Sequence, residues 1–201
     1  RIEVMSILGE TQFIGTSVLT EQNKAVIRNE FLPAHKASGA IHTFYFQTSH
    51  TSYTVVALWK DTETRDAGLK SLARVFEHAA SMGFHRSHSV VGENFCRFGS
   101  GPSHDGYVTA WEYELRSDPA DVAAWRESTV EGHNTIWAGL FKWLGASRAY
   151  FHWTGEHTWS AVVVWPDRST LEMAGLVIAA VKARFSGLKW KKIEGDVICG
   201  H

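Results

Sequence analysis

The residue types best suited to chemistry alternate along one short segment, in which Arg148, Tyr150 and His152 are separated by Ala149 and Phe151. A histidine in an apolar pocket can act as a general base, because its unperturbed pKa of about 6.5 lies near working pH. An arginine or tyrosine beside it can donate a hydrogen bond to a developing oxyanion. The segment predicts removal of a proton from a phenol or an enolisable carbon, with His152 as the base, before attack by dioxygen or ring closure.

An earlier segment carries His42, which would have the equivalent role in the first half of the chain, and both segments are rich in the β-branched and aromatic residues that strands prefer. Each is predicted to be the first strand of a β-hairpin, with turns at residues 49–52 and 155–158. In the first hairpin the predicted cross-strand pairs are Thr48 with Tyr53, Phe46 with Val55, Phe44 with Ala57 and His42 with Trp59. In the second they are Thr154 with Trp159, His152 with Ala161, Tyr150 with Val163 and Arg148 with Trp165.

Each hairpin face is thus predicted to combine large aromatic residues with one small residue, Ala57 or Ala161. This composition is typical of a mostly apolar pocket with few polar groups, in which rings stack on a planar ligand. The candidate ligand-binding residues are Trp59, Tyr53, Phe46, Trp159, Trp165 and Trp137. An aromatic stripe on a strand is more often part of a core than of a ligand site, so a purely structural role stays open. Eight of the nine tryptophans follow position 106, which favours the second half as the ligand site.

The two hairpins belong to two copies of one sequence unit. A shift of 106 positions superimposes Gly39 on Gly145, Ala40 on Ala146, Trp59 on Trp165 and Asp61 on Asp167, and near the ends Gly92 and Cys96 match Gly195 and Cys199. Repeats of this length exceed the roughly 20–50 residues of solenoid units, so a duplicated small domain fits better. The predicted organisation is a first repeat at 1–99, a linker at 100–106 and a second repeat at 107–201.

Each unit is predicted to run strand, helix, strand, strand, helix, strand, which is the ferredoxin-like succession. The first strand is expected at residues 4–8, and the helix after it at 17–36 with a break near Pro33. In the second copy that helix is expected to begin at the cap Ser117-Asp118-Pro119. The last strands are expected at 87–98 and 189–199. One face of each sheet needs a cover, and two copies can cover each other.

On these residues the sequence resembles the dimeric α+β barrel superfamily, and within it the antibiotic-biosynthesis-monooxygenase-like group. The resemblance lies in the glycine before each hairpin and in the segments Trp59-Lys60-Asp61 and Trp165-Pro166-Asp167. It implies an α+β fold in which tandem ferredoxin-like units form an intramolecular α+β barrel. It also implies a pocket between sheet and helices for a small organic molecule, used in this superfamily by cofactor-free oxygenases, cyclases, isomerases and haem-degrading enzymes.

The main functional expectation is therefore a cofactor-free oxygenase, cyclase or isomerase that acts on a small aromatic or polyketide-like molecule. His152 or His42 would be the base, and Arg148 or Tyr150 the oxyanion donor. One alternative places haem in the cavity, with His78, His133 or His152 as the axial ligand. The other is a non-catalytic ligand-binding or stress-response module whose aromatic residues only pack.

Composition and charge exclude other classes of function. A formal net charge of -1, without long blocks of like charge, gives no field to attract nucleic acid. No apolar run is long enough to span a membrane, and a cytoplasmic location is expected, although a targeting segment trimmed before Arg1 stays open. The two cysteines predict free buried thiols, and the histidines at 85 and 88 lack further ligands for a metal site. Association of two fused chains into a homodimer also stays open.

Overall fold

The computed structural model describes residues 6–99, 105–184 and 187–201, and eight antiparallel strands lie within these ranges. They are β1 (Ile7–Gly15), β2 (His42–Ser49), β3 (Ser52–Trp59), β4 (Phe84–Phe98), β5 (Tyr107–Leu115), β6 (Arg148–Trp153), β7 (Thr158–Trp165) and β8 (Leu188–Gly200). β1 extends well beyond the predicted residues 4–8, of which 4 and 5 lie outside the described ranges. The prediction ended too early because Gly9 to Gln12 look like a loop, whereas Glu10 of this stretch is buried inside the molecule.

The strands close into a barrel in the order β1-β3-β2-β8-β5-β7-β6-β4. Within each repeat this is the ferredoxin-like order, β4-β1-β3-β2 in the first and β8-β5-β7-β6 in the second. Pairing of β2 with β8 and of β4 with β6 joins the two sheets. The predicted α+β fold, with tandem ferredoxin-like units in one intramolecular barrel, is confirmed. The last strand of each repeat forms the seam to the other repeat.

Two glycines at matching repeat positions allow these seams to close. Gly92 lies in β4 at the junction with β6, and a Cβ atom there would overlap the backbone carbonyl of Trp153. Gly195 lies in β8 at the junction with β2, and a Cβ atom there would overlap the carbonyl of Gln47. The repeated glycine seen in the sequence is therefore a packing requirement of barrel closure.

Helices cover the outside of the barrel. α1 (Glu21–Val26) continues through a π-helical turn (Ile27–Phe31) into α2 (Leu32–Ala37), and α5 (Val122–Gly132) continues through a π-helical turn (His133–Trp137) into α6 (Ala138–Trp143). The helices after the hairpins are α3 (Thr62–Ser71), α4 (Ala73–Ser81) and α7 (Arg168–Lys182). No helix in the described ranges is long and apolar enough to cross a membrane.

The irregularity predicted near Pro33 is the π-helical turn just before it. The same turn recurs in the second repeat, which has Gly139 at the position of Pro33, so proline is not its cause. The predicted helix start at Ser117-Asp118-Pro119 is wrong, because Asp121 stands directly before the apolar stretch and its carboxylate accepts from the N–H of Ala124 at 3.0 Å.

The barrel wall separates two kinds of apolar core. Inside, residues of both repeats pack together, such as Leu8 of β1 and Val162 of β7. Outside, the helices of each repeat pack on the sheet of that repeat and on the last strand of the other, around Tyr53 in the first and Phe151 in the second. Successive residues of a strand alternate between these cores, so the register of each hairpin decides which chemistry a side chain meets.

Candidate functional site

A cavity of about 360 Å³ lies between the outer face of the second-repeat sheet and the helices over it. Cavities that bind small molecules span roughly 300–1,000 Å³, so this one suits a small ligand. Most of its lining is aromatic or aliphatic: Tyr113, Leu115, Trp125, Trp137, Phe141, Phe151, Trp159, Ala161, Leu188 and Trp190. The polar side chains that line it are Ser128, Thr129, His133 and Lys182. A mostly apolar surface with few polar groups is the composition expected of a ligand site.

Smaller or more polar residues in the second repeat replace ones that fill the same place in the first. By the repeat alignment, Ala161 corresponds to Val55 and His133 corresponds to Ile27. Val55 and Ile27 belong to a packed cluster around Tyr53 and are 5% and 0% exposed. Truncation at Ala161 opens space beside the sheet, and the exchange at His133 brings an imidazole to that space.

His133 lies in the helical wall of this cavity and is 7% exposed. Its Nδ1 atom lies 2.7 Å from the carbonyl oxygen of Thr129. A carbonyl oxygen can only accept, so Nδ1 carries the hydrogen and the neutral ring keeps its lone pair on Nε2. Rings of Phe95 and Phe151 meet the imidazole edge to face, with centroids at 5.2 and 4.8 Å. Burial lowers the pKa of His133, and the hydrogen bond to Thr129 opposes that shift in part.

The π-helical turn determines where this imidazole lies. His133 is the first residue of the turn, and its bond to Thr129 spans the junction with α5. A π-helical turn inserts an extra residue into a helix and is frequent at functional sites. The first repeat has the same turn with Ile27 in the first place, so the backbone feature belongs to the fold and the imidazole is particular to the second repeat.

Lys182 ends α7 and brings the cavity's basic group. Its Nζ atom lies over the rings of Trp190 and Trp111, 4.0 and 4.4 Å from their centroids, and 5.3 Å from that of Tyr113. Burial lowers the pKa of Lys182 to about 7, with repulsion from Lys192 as a smaller cause. Near neutral pH the amine is therefore divided between its charged and uncharged forms.

Two further groups of the cavity influence its chemistry. The indole N–H of Trp159 is buried and has no hydrogen-bond partner among the described residues. Burial raises the pKa of Tyr113 well above its ordinary value, so its hydroxyl stays protonated and can donate. An oxygen atom of a bound molecule therefore has the Tyr113 hydroxyl available as a donor beside aromatic surface.

The predicted hairpin registers are wrong by one residue. His152 pairs with Ser160 and Phe151 with Ala161, whereas His152 was expected opposite Ala161. In the first hairpin the pairing shifts between Gln47 and Ser49, so that His42 lies opposite Leu58. Strand side chains alternate between faces, so a slip of one residue moves every polar group of the segment to the opposite face. The aromatic face with Ala161 lines the cavity, and the polar residues face the barrel interior.

The barrel interior brings three of the four predicted catalytic residues together. Arg148 donates a hydrogen bond from Nη1 to the Tyr150 hydroxyl at 3.2 Å, and the His42 ring lies 6.4 Å from that of Tyr150. Burial raises the pKa of Tyr150, and the nearby charge of Arg148 opposes that shift in part. Burial lowers the pKa of His42, and the charge of Arg148 lowers it further. None of these residues lines the cavity described above.

His152, the fourth, is 0% exposed and bonds to a carboxyl group that the sequence analysis did not single out. Oε1 of Glu10 accepts from the Ser160 hydroxyl at 2.5 Å and lies 2.5 Å from His152 Nε2. Glu10 belongs to β1, so this cluster ties the first repeat to the second across the barrel interior. His152 Nδ1 has no partner within the described ranges.

Of the predicted ligand-binding residues, Trp137 and Trp159 line the cavity. Tyr53, Trp59, Phe46 and Trp165 are each at most 2% exposed and lie in packed core clusters. Of the histidines considered for haem, only His133 lines the cavity. The other two lie elsewhere, where His78 pairs with Glu30 and His152 pairs with Glu10.

Lys182 was missed as a functional residue because its aromatic neighbours come from β5 and β8, which are distant in sequence from α7. The free, buried cysteines Cys96 and Cys199 are as predicted. The described residues contain no group of three or more histidine, cysteine or acidic side chains that could hold a metal ion.

Comparison with solved structures shows where this fold occurs. No known family model matches the sequence, and no curated protein matches it. A presumed monooxygenase from Fusobacterium nucleatum superposes with a TM-score of 0.67 at 11% identity, over 100% of this chain and 95% of that chain. An anthrone oxidase-like protein gives 0.56 at 11% identity, over 97% and 92%. A mutant chlorite dismutase from Candidatus Nitrospira defluvii gives 0.61 at 6% identity, over 96% and 91%.

At these identities the likeness establishes the fold. The chain has the dimeric α+β barrel fold in its fused form, shared with ferredoxin-fold proteins of the antibiotic-biosynthesis-monooxygenase-like type. Proteins named for different reactions share this fold, so the function of this chain depends on the residues of its cavity.

Proposed function

We propose that this chain is an enzyme that binds a small planar aromatic or polyketide-like molecule in the second-repeat cavity and removes a proton from it, with His133 as the general base. The observation that carries the proposal is the hydrogen bond from His133 Nδ1 to Thr129, which leaves Nε2 as the basic atom of a ring in the cavity wall. Cavity-lining aromatic residues supply flat surfaces for a planar ligand.

Burial favours this role in two ways. It lowers the pKa of His133, so the ring is neutral and able to accept a proton at neutral pH. The apolar lining also lowers the local polarity, which strengthens hydrogen bonds to the enolate or phenolate oxygen that forms. The hydroxyl of Tyr113 is the donor that supports such an oxyanion.

The fate of the carbanion or enolate decides the reaction type. Attack on dioxygen would make the enzyme a cofactor-free oxygenase, attack on a carbonyl of the same molecule a cyclase, and reprotonation elsewhere an isomerase. For an anthrone, C–H deprotonation and reaction with one dioxygen give an anthraquinone and one water, so no external reductant is required. Oxygenation of this kind is our first assignment, and an anthrone is the probe that we choose.

The assignment of His152 as the base stays a prediction, because its position does not test whether a substrate binds beside it. The cavity favours His133, because His152 is enclosed in the barrel interior and its Nε2 is bonded to Glu10. An experiment that compares both histidines separates the two assignments.

The test measures oxygen uptake and anthraquinone formation from anthrone with the unaltered protein and the variants His133→Ala and His152→Ala. We expect His133→Ala to lower the turnover rate by about 10²–10⁴-fold, the usual contribution of a general base. His85→Ala, at an exposed position outside the cavity, is the matched control and should keep full activity. Full activity in His133→Ala with loss in a well-folded His152→Ala would transfer the role to His152.

A second candidate function has one observation in its favour. A histidine that binds a metal usually donates its other ring hydrogen to a carbonyl or carboxylate, and His133 does so to Thr129. His133 would therefore hold a haem iron through Nε2, and Lys182, which lines the same cavity, would supply a cation for a haem carboxylate. A bound haem would supply redox chemistry with oxygen species. Haem titration decides between the functions: a Soret shift that disappears in His133→Ala supports haem, and no shift supports the cofactor-free enzyme.

A further inference from the structure

The ammonium group of Lys182 lies against three aromatic rings and has no carboxylate partner within the described ranges. Trp111 and Tyr113 of β5 and Trp190 of β8 form an aromatic cage around Nζ, at 4.4, 5.3 and 4.0 Å from their ring centroids. Cation–π contacts of this kind stabilise the charged form. Among the described residues no acidic group forms an ion pair with Lys182, whereas other basic residues of this region are paired. Lys192 pairs with Glu194 at 2.7 Å.

Lys182 also occupies a junction between two spaces. It lines the aromatic cavity that contains His133, and it lines an adjacent cleft of about 530 Å³ between α7 and the strands β5 and β8. Trp190 borders both spaces as well. A ligand ring inside the cavity can therefore place a polar substituent at the amine while the rest of the molecule remains on aromatic surface.

We propose that Lys182 selects the ligand by binding an anionic oxygen, so that the molecule taken up is an aromatic acid with a carboxylate group. The proposal rests on the proposed ligand cavity and names the substrate class of that same site. Three features support it: a cation without a counterion, an aromatic cage that orients the cation, and an apolar cavity beside it. A buried charge needs a partner, and a ligand carboxylate would supply one.

The protonation of Lys182 gives the proposal a specific signature. Burial sets the pKa of free Lys182 at about 7, and a bound carboxylate would raise it, since an opposite charge favours the ammonium. When a carboxylate binds at pH 8, the protein should therefore take up about one proton, whereas binding at pH 6 should be accompanied by little proton uptake. Affinity should be constant below pH 7 and fall above it.

Other charged groups face Lys182 and have to be separated from this effect. The charged or titratable residues that line the two spaces beside Lys182 are Lys192 and Glu194 on β8, Tyr113 on β5, Arg168 and Glu172 on α7, and His133 across the cavity. Lys192 with Glu194 and Arg168 with Glu172 form ion pairs with each other. Burial raises the pKa of Tyr113 and lowers that of His133, so both stay neutral at pH 8. Lys182 is thus the group expected to change charge in this window.

The experiment compares 2-naphthoate with neutral 2-naphthamide by calorimetry at pH 6 and pH 8, in buffers of different ionisation enthalpy. We expect the unaltered protein to prefer naphthoate at pH 6 by roughly 10-fold or more, as for a charge-assisted hydrogen bond. At pH 8 naphthoate, but not naphthamide, should bind with proton uptake. Lys182→Arg should keep the preference at both pH values and lose the uptake, because arginine stays charged. Lys182→Met should lose both.

Equal affinity for the two probes, binding of neither, or proton uptake that persists in Lys182→Met would overturn the inference. The failure of the proposed function is a separate result, since it is read from anthrone, which carries no carboxylate. If Lys182→Met loses naphthoate binding but still turns over anthrone, the roles of Lys182 in ligand selection and of His133 in proton removal are both supported. If the protein binds naphthoate as expected but never acts on anthrone, only the proposed reaction fails.

Discussion

The Nδ1 atom of His133 lies 2.7 Å from the carbonyl oxygen of Thr129, one turn earlier in the helical wall of the cavity. This contact fixes which ring nitrogen carries the hydrogen and leaves Nε2 as the basic atom. In the first repeat the same place is held by Ile27, so the two copies share a backbone and differ in chemistry.

The pH dependence of the reaction follows from the burial of His133. The neutral imidazole is the active form, and burial lowers its pKa below the ordinary value of about 6.5. The turnover rate with anthrone should therefore rise as pH increases through a midpoint below about 6.5 and then stay level. A rate profile from pH 4.5 to 8 measures this midpoint; a midpoint above 7 would contradict the assignment of His133.

Filling the cavity should remove binding without loss of stability. Ala161→Val introduces the residue that the first repeat has at the matching position, and we expect it to weaken naphthoate binding by about tenfold or more through lost space. The mirror change Val55→Ala, in the packed first repeat, should lower the free energy of unfolding by roughly 1–3 kcal/mol. Tryptophan fluorescence titration and urea unfolding measure the two effects. Unchanged binding in Ala161→Val would show that the ligand lies elsewhere.

The Glu10 cluster should be important for stability, because it joins the two repeats inside the barrel. Glu10→Ala leaves His152 and Ser160 buried without their acceptor, and we expect a loss of about 3–5 kcal/mol in the free energy of unfolding. Glu172→Ala breaks an exposed ion pair with Arg168 and should change the free energy of unfolding by less than about 1 kcal/mol. Urea unfolding of both variants checks this; equal small losses would argue against a buried polar link.

The seam glycines predict a sharp contrast among glycine-to-alanine variants. Gly92→Ala places a methyl group against the Trp153 carbonyl and should destabilise the protein by about 3 kcal/mol or more. Gly139→Ala, in an exposed part of α6 with open space around it, should stabilise by about 0.5–1 kcal/mol through helix propensity. Thermal unfolding of the two variants gives the comparison. A Gly92→Ala protein as stable as the parent would mean that β4 and β6 pair differently.

Features encoded locally were predictable from the sequence. The duplication follows from matched residues such as Trp59 and Trp165, and the helix starts follow from the capping residues Asp61 and Asp167, whose carboxylates accept N–H groups at 2.8 and 2.7 Å. Ala161 and Trp159, which the sequence analysis assigned to one ligand-binding face, both line the cavity, and ligand binding there stays a prediction.

What failed depended on one residue of register. In the first hairpin Ser49 pairs with Ser52 as the predicted turn requires, but an irregularity at Thr48 shifts all later pairs. In the second, the loop spans residues 154–157, so pairing begins at Trp153. A bulge or an early loop has no clear sequence signal here, and each moves alternate side chains to the opposite face. The polar residues chosen from these strands therefore face the barrel interior.

Residues that tertiary packing assembles were the hardest to find. Lys182 becomes a candidate only when α7 lies over β5 and β8, and His133 only when the helix wall covers the sheet. One signal was present in the sequence: His133 stands where the first repeat has the apolar Ile27, at the matching place of the helix between the first two strands of the repeat.

The most direct test of the central claim is hydrogen–deuterium exchange at the methylene carbon of anthrone, followed by NMR in heavy water without oxygen. This measurement isolates proton removal from whatever reaction follows it. The account predicts that the protein accelerates the exchange and that His133→Ala abolishes the acceleration, while His85→Ala keeps it. Exchange at the rate of a protein-free solution, or acceleration that persists in His133→Ala, would contradict the account.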